Sequence, residues 1–414
     1  MTCDSDSELR SVPLGQIAQI ERGKFSARPR NDPKYFGGSV PFIQTGDVRN
    51  SNGRMTDYSQ TLNSQGLKVS RLFPAGTLFM TIAANIGDLG VAEFATACPD
   101  SLVALSPRAG VDQRWLFHAL SMMKPTLVAI ATQNAQANLN LEKLNSLALN
   151  VPPHASQVSI ANILDDADSM IIKLQRLIAK KQAIKQGMMQ QLLTGRTRLP
   201  GFCGEWTETR LGDHVTYVKT VALSRAQLDS SSALRYLHYG DIHTRGDVRL
   251  DASKEPMPRV SAELANRAGR LQVGDLVFAD ASEDPEGVGK SVEIAGVPSD
   301  GVVPGLHTIA ARFDKDVLSD GFKAYLQHIP TFREQLLRLA AGTKVLATTR
   351  TYISSVTLAL PDVNEQHAIA QVLDDCEAEL EALRARLDKA RNIKTGMMQQ
   401  LLTGRVRLPV DTES

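Results

Sequence analysis

One run of this chain occurs twice. Gly187-Met-Met-Gln-Gln-Leu-Leu-Thr-Gly-Arg196, then Arg198-Leu-Pro200, returns 209 residues later as Gly396 to Arg405, then Arg407-Leu-Pro409. The offset holds without a gap back through Asp165-Asp166 and Asp374-Asp375, Gln157 and Gln366, and Pro152 and Pro361. About half of the roughly 50 paired positions are identical. The period lies far above that of solenoid repeats, so the chain is a duplicated half-protein. Upstream the match weakens. Phe42-Ile-Gln-Thr-Gly46-Asp47-Val48 parallels Tyr236-Leu-His-Tyr-Gly240-Asp241-Ile242, and Pro74-Ala-Gly76-Thr-Leu78 parallels Gln272-Val-Gly274-Asp-Leu276. Two divergent domains thus alternate with two near-copies of one segment.

The constant segments read as long helices. Ile160, Leu164, Ala167, Ile171, Leu174, Ile178, Met188 and Leu192 keep a 4-3 heptad spacing, interrupted by Lys181 and Lys185. Ile369, Leu373, Cys376, Leu380, Leu383, Leu387, Ala390, Met397 and Leu401 repeat it, with Lys394 in the slot of Lys185. Such a seam over about five heptads predicts a coiled coil. Gly195 and Gly404 are placed as C-caps. Two seams in one chain satisfy each other, and the intervening domain is long enough to return the chain, so an antiparallel pair is expected. The seam lysines either set register or extend their stems outward.

Residues 10–155 and 205–364 carry short β-like runs punctuated by Gly, Asn, Asp and Pro. The expected strands are Val40–Thr45, Thr77–Ile82, Leu102–Leu105, Tyr236–Tyr239, Asp275–Phe278 and Thr308–Phe313. One helix is expected in each domain, Gln113–Ile130 and Lys323–Ala340, and each domain closes on a strand, Leu147–Val151 or Val356–Leu360. Pro200 to Trp206 reads as a tight linker. The fold class is therefore α+β: two mixed α/β domains separated by two long helices in an antiparallel coiled coil, with a pseudo-two-fold internal repeat. The expected boundaries are 1–155, helix 156–200, 201–364 and helix 365–414.

A formal net charge of +1 argues against a protein that coats DNA by bulk charge. A sequence reader whose partners supply phosphate contacts can still be near neutral. Cys3, Cys98, Cys203 and Cys376 form no CxxC pair, which fits a reducing compartment without a zinc site or disulfide framework. The polar start, Met1 to Glu8, is unlike a signal peptide, and no apolar run approaches the length of a membrane helix. A cytoplasmic location is expected.

Catalytic constellations are not apparent. Asn150-Val-Pro-Pro-His154 departs from the Asn/Asp-Pro-Pro-aromatic loop of a DNA adenine methyltransferase and reads as a strand exit. Asp284-Pro-Glu-Gly-Val-Gly289-Lys290-Ser291 puts an aspartate where a phosphate loop needs bare backbone, and its place matches Asn85–Gly90, so a hairpin turn is expected. Asp165-Asp166 and Asp374-Asp375 fall early in the long helices, where carboxylates favour the dipole. No metal site is expected.

Candidate DNA contacts are polar or basic side chains in loops. Arg22, Lys24, Arg28, Arg30 and Lys34 form the densest basic stretch, suited to phosphates or guanine edges. Gln133, Asn134, Gln136 and Asn138 carry amides able to read adenine. Lys344, Thr348, Thr349 and Arg350 hold the same place in the second domain, with Lys219, Arg225 and His238 as further candidates.

The whole pattern resembles the specificity subunits of type I restriction–modification systems. The resemblance rests on the Leu14-Gly15 and Leu211-Gly212 starts, strands ending Gly46-Asp47 and Gly240-Asp241, and closures on Pro…Gln…Ile…Leu-Asp-Asp with helices ending Leu-Leu-Thr-Gly-Arg. It covers nearly the whole chain; the second repeat departs in lacking a counterpart to the basic loop. The resemblance implies a non-catalytic subunit with two target-recognition domains, each reading one half of a bipartite site on double-stranded DNA. It implies helices that set the spacer and dock two methyltransferase (modification) subunits. ATP-dependent translocase–nuclease (restriction) subunits would join for cleavage. S-adenosylmethionine, ATP and Mg2+ would belong to those partners. The competing reading is a coiled-coil scaffold that does not read DNA.

Overall fold

The computed structural model describes residues 9–132, 138–340 and 346–408. The chain forms two compact units, residues 1–176 with 385–414, and residues 177–384. Each takes part of both long helices, His154–Leu192 and Val363–Leu401, which are 39 residues each.

In the first unit a five-stranded sheet runs in the order Ala18–Arg22, Leu102–Pro107, Leu78–Thr81, Leu89–Ala92, Arg54–Met55. In the second the order is Val215–Val218, Thr308–Phe313, Leu276–Ala279, Ser291–Gly296, Arg249–Asp251. In both, the last pair is parallel and the others antiparallel. A separate ribbon closes each domain: Arg10–Pro13 pairs with Ala148–Val151, and Thr207–Arg210 with Thr357–Leu360. The phosphate-loop look-alike is, as expected, the turn of an antiparallel hairpin.

The repeated residues now have physical reasons. Leu14 and Leu211 are buried, and their N–H groups bond the carbonyls of Leu147 and Val356. A Cβ on Gly212 would sit 2.4 Å from the Ser354 backbone carbonyl oxygen, so glycine is required there, and one on Gly15 would press on the Asn145 side chain. Gln157 accepts from Asp112 N–H and donates to the Gly110 and Pro152 carbonyls. Gln366 does the same with Ser319, Val317 and Pro361. Both glutamines are 1% exposed, so each amide fixes the start of a long helix to the preceding domain.

Three local expectations are corrected. Strands end at Phe42 and Leu237, and Gly46-Asp47 and Gly240-Asp241 lie inside short helices, Thr45–Asn50 and Tyr239–His243. There Asp47 and Asp241 accept from the N–H of Gln44 (2.7 Å) and His238 (3.0 Å), completing capping boxes. The Gln113–Ile130 helix is two, Gln113–Met122 and Lys124–Thr132, with Pro125 in the first turn of the second. Lys323–Ala340 divides into a 3-10 turn, Lys323–His328, and a helix from Pro330. Proline holds its predecessor Ile329 extended, at ψ 118°.

The seam forms in both units. In the first, Ile160, Leu164 and Leu174 are buried with Leu387 and Leu401, while Ile171 is half-buried. In the second, Ile178 and Leu192 are buried with Ile369, Leu373 and Leu380, Leu383 is half-buried, and Met189 is buried where Met188, expected in the seam, is only half-buried. The domain cores continue into the helices. Ile160, Leu164, Leu401 and Leu402 belong to the first core. Their counterparts Ile369, Leu373, Leu192 and Leu193 belong to the second. Gly195 and Gly404 end the helices at φ +67° and +72°, the left-handed cap.

The seam lysines do not extend outward. Lys394 bonds Asp168 across the helix pair at 2.5 Å, and Lys185 bonds Glu377. Lys185 and Lys394 differ by the 209-residue offset, as do Asp168 and Glu377, so the two ion pairs are counterparts. Lys181 adds a bond to Glu379 at 2.7 Å. Moving back from Lys185 to Lys181 moves forward from Glu377 to Glu379, which is antiparallel order. Partly buried pairs add little net stability, but each is costly to break and so selects register.

One acid of each pair early in the helices holds the preceding domain. Asp165 accepts from the fully buried His118 (2.8 Å) and from Arg114 (3.3 Å). Its counterpart Asp374 accepts from the Tyr325 hydroxyl (2.9 Å) and pairs with Arg249 (2.8 Å). Burial chiefly holds His118 below the ordinary histidine range, helped by the charge of Lys394 and opposed by Asp165 and Asp168. Burial pushes the Tyr325 phenol up.

Two outcomes follow. Lys394→Glu places two carboxylates together and should destabilise by about 1–3 kcal/mol; adding Asp168→Lys should return most of this, read as a coupling energy from chemical denaturation of the four proteins. For His118, the unfolded state binds the proton more readily, so its contribution is full above about pH 6.5 and is lost as pH falls below it. Calorimetry between pH 8 and 5 should show a transition that weakens with acid in the wild type and is flatter in His118→Gln.

Candidate nucleic-acid interface

Each unit gathers loops at one end of its five-stranded sheet, on one backbone frame. In the first, Ile82 N–H bonds the Ser101 carbonyl (2.9 Å), and the Ile82 carbonyl accepts from Leu139 N–H (3.0 Å). In the second, Asp280 N–H bonds the His307 carbonyl (3.1 Å), and the Asp280 carbonyl accepts from Thr348 N–H (2.7 Å). An isolated bridge, Ala83 to Asn138, matches the short ribbon Ala281–Ser282 with Leu346–Ala347. Asn138 and Thr348 thus sit at the foot of this end in their respective units. Gln133, Asn134, Gln136 and Lys344 lie outside the described residues.

The basic stretch of the first unit reaches the same end. Its backbone is pinned by Phe25, which packs against Phe42 with ring centroids 5.0 Å apart, and by buried Ala27. The charged side chains alternate outward: Arg22, Lys24, Arg28, Arg30 and Lys34 are all exposed. Arg22 donates to the Asp100 carbonyl (2.6 Å) and Arg30 to its carboxylate (2.7 Å), beside Ser101. Arg28 bonds the Ala27 carbonyl at 2.7 Å. Lys34 pairs with Asp32 at 2.9 Å, so its charge is locally answered. The Asp32 carboxyl is held below its ordinary range by hydrogen bonds from Lys34.

The second unit has the frame of this loop without its charge density. Tyr236, fully buried, accepts from Leu223 N–H (3.1 Å) and Leu306 N–H (2.7 Å), and its single hydroxyl proton lies between the Val221 and Leu223 carbonyls, each 3.2 Å away. This pins the segment that carries exposed Lys219 and Arg225. His238 caps the Tyr239–His243 helix through Nδ1 to Gly240 N–H (3.1 Å), and burial lowers its pKa. Thr349 is itself a cap, accepting from Tyr352 N–H at 3.1 Å, and buried Thr348 faces inward. Arg350 is exposed and lies over the Tyr217 ring, 5.4 Å from its centre.

Sequence reasoning missed Tyr239, Asp280 and His307. His307 Nδ1 lies 3.1 Å from Asp280 Oδ1, and the Tyr239 ring stands edge-on to His307 at 5.3 Å. The segments are far apart in sequence, and the one local signal was the tyrosine and histidine around Gly240.

Among the described residues one acidic group, Asp247, Glu377 and Glu381, places a ligand atom of each within 4.8 Å. Glu377 is already paired with Lys185 and Arg384. Cys98, Cys203 and Cys376 are free thiols, and no helix among the described residues is long and apolar enough to cross a membrane.

The model of the type I restriction modification DNA specificity domain matches residues 6–186. The putative type I restriction enzyme MjaX specificity subunit of Methanocaldococcus jannaschii is 23% identical, over 97% of this chain and 94% of the relative. Over that length the chain is similar to type I specificity subunits. The MjaVIII specificity subunit of the same organism is also 23% identical, over 72% of this chain and 71% of the relative. The fold agrees with the S subunit of a type I system from M. genitalium, at TM-score 0.59 and 12% identity over 97% of this chain and 98% of that one. It agrees equally with a chain from a structural study of assembly and conformational transition in the type I system, at TM-score 0.60 and 15% identity over 96% and 98%. Type I specificity subunits are a non-catalytic family.

Proposed function

We propose that this specificity subunit reads DNA with the two loop ends described above, one half of a bipartite site for each. DNA sequence recognition is the role of the family. The observation that carries the residue-level reading is where the repeats differ. Scaffold residues keep their identity: Leu14 and Leu211, Gln157 and Gln366, Gly195 and Gly404. The loop ends keep the backbone and change the side chains: Ile82 and Asp280, Ser101 and His307, Gln44 and His238. A fold needs constancy where it packs; a reader of two unlike half-sites needs variation where it touches bases. Exposed Arg22, Arg28 and Arg30, and Lys219 and Arg225, supply phosphate contacts that position each end.

The partners are two methyltransferase subunits, with translocase–nuclease subunits added for cleavage; S-adenosylmethionine, ATP and Mg2+ act on those subunits. A two-copy partner is supported by exposed residues that are the same in both helix ends. Ile184 and Ile393 are 44% and 51% exposed, and Gly187, Gln190, Gln191 and Arg196 are exposed and identical to Gly396, Gln399, Gln400 and Arg405. Folding alone does not require sameness at exposed positions.

The helices set the spacer. At 1.5 Å per residue each is about 58 Å long, and readers related by a two-fold meet equivalent grooves at whole turns of about 10–10.5 base pairs. With half-sites of about 3–5 base pairs, the unread spacer is about 5–8 base pairs. The test is methylation mapping of complexes reconstituted with methyltransferase subunits. Exchanging residues 10–155 for the same domain of a relative should change one half-site and keep the other; change in both halves overturns independent reading. Inserting four residues after Ala179 and after Asp388 should lengthen the spacer by one or two base pairs. An unchanged spacer overturns the ruler.

A further inference from the structure

His307 is an expensive residue for the fold to keep. Its backbone sits at φ +56°, a left-handed conformation that strains a non-glycine residue. Its side chain is half exposed, so it contributes little to the core. The position does not demand histidine, because Ser101 makes the same backbone bond in the first unit. Nor does the frame demand the Asp280 carboxylate, because Ile82 stands there in the first unit.

What these residues do together is fix one imidazole nitrogen in space. Asp280 Oδ1, an acceptor, takes Nδ1 of His307 at 3.1 Å. The Tyr239 ring, 5.3 Å away at an interplanar angle of 82°, restricts the imidazole from one side. Tyr239 is in turn packed by His238 at 4.4 Å and His243 at 6.0 Å. His243 is anchored to the Ala281 carbonyl at 2.9 Å. With the proton on Nδ1, the ring presents Nε2 as a lone acceptor. The hydrogen-bond donors that duplex DNA displays in its major groove are the amino groups of adenine N6 and cytosine N4.

We propose that His307 is a specificity-determining residue of the second recognition domain, accepting through Nε2 from an exocyclic amino group of one base in the half-site, with Asp280 and Tyr239 as positioning residues. This rests on the proposed DNA-reading function and names the residue that performs part of it. The left-handed backbone and the Asp280 bond are strain and order invested in a contact absent from the free protein.

The experiment uses the full-length subunit with its methyltransferase partners, and maps methylated sites for wild type, His307→Ala, His307→Gly and Asp280→Ala. His307→Gly keeps the left-handed backbone without strain, so it should fold at least as stably as wild type in thermal unfolding. Both His307 variants should become degenerate at one base pair of one half-site, losing about 5–150-fold discrimination there. The other half-site and the spacer should be unchanged, and Asp280→Ala should relax the same base pair less. A defined wild-type site that stays unaltered in both His307 variants overturns this proposal alone. Uniform weakening across all sites, with a shallower salt dependence of binding, also overturns it, because it marks a phosphate contact. A wild-type complex that methylates no defined site overturns the DNA-reading function and this proposal together.

Discussion

The structure depends on how the two long helices end. Each compact unit is built from one domain, the start of the helix that follows it and the end of the other long helix. Leu401 and Leu402 are walls of the first core, as Leu192 and Leu193 are of the second. In each unit the seam is therefore continuous with that unit's own core, and the identical Leu-Leu-Thr-Gly-Arg endings are explained by equivalent jobs. Helices packed only on each other would need heptad leucines alone. These must also fit a sheet domain, and the capping glycines let the chain turn away once that fit is made.

Charge fixes what apolar contact leaves loose. Leucine seams slide between registers at modest cost, but Lys394 with Asp168 and Lys185 with Glu377 are satisfied in one register. The helices are also tied to the domains by polar contacts. Asp165 and Asp374 accept from His118 and Tyr325, different groups performing one function at counterpart positions. Gln157 and Gln366 each use three hydrogen bonds to hold a helix start. Duplication kept these connections while the loop ends diverged.

Much of this was legible in the sequence because periodicity and identity are additive signals. Five heptads repeated at one offset exposed the helices, their direction and the seam lysines. The short elements were less legible. Gly46-Asp47 and Gly240-Asp241 look like strand exits because helices of five or six residues are too brief to show a 3.6 period. The helix after Gln113 was read through Pro125, although proline is compatible with the first turn of a new helix. The basic loop after Arg22 stood out by charge, whereas its counterpart around Lys219 and Arg225 is recognisable only from the buried Tyr236 that pins it. His307 and Asp280 were invisible because their relation is made by strand pairing between separate runs.

The division of the chain has a consequence for the order in which it is made. The second unit, residues 177–384, is contiguous, so everything it needs has left the ribosome once that stretch has emerged. The first unit is not: residues 1–176 are made first but are completed by 385–408, made last. During synthesis the amino-terminal domain therefore waits, with the apolar side of Ile160 and Leu164 lacking Leu401 and Leu402, through translation of more than 200 further residues. At about 5–20 residues per second that interval lasts on the order of 10–40 s. The half that begins first finishes last, and a ribosome stalled before Met397 would leave a finished second unit joined to an open first one.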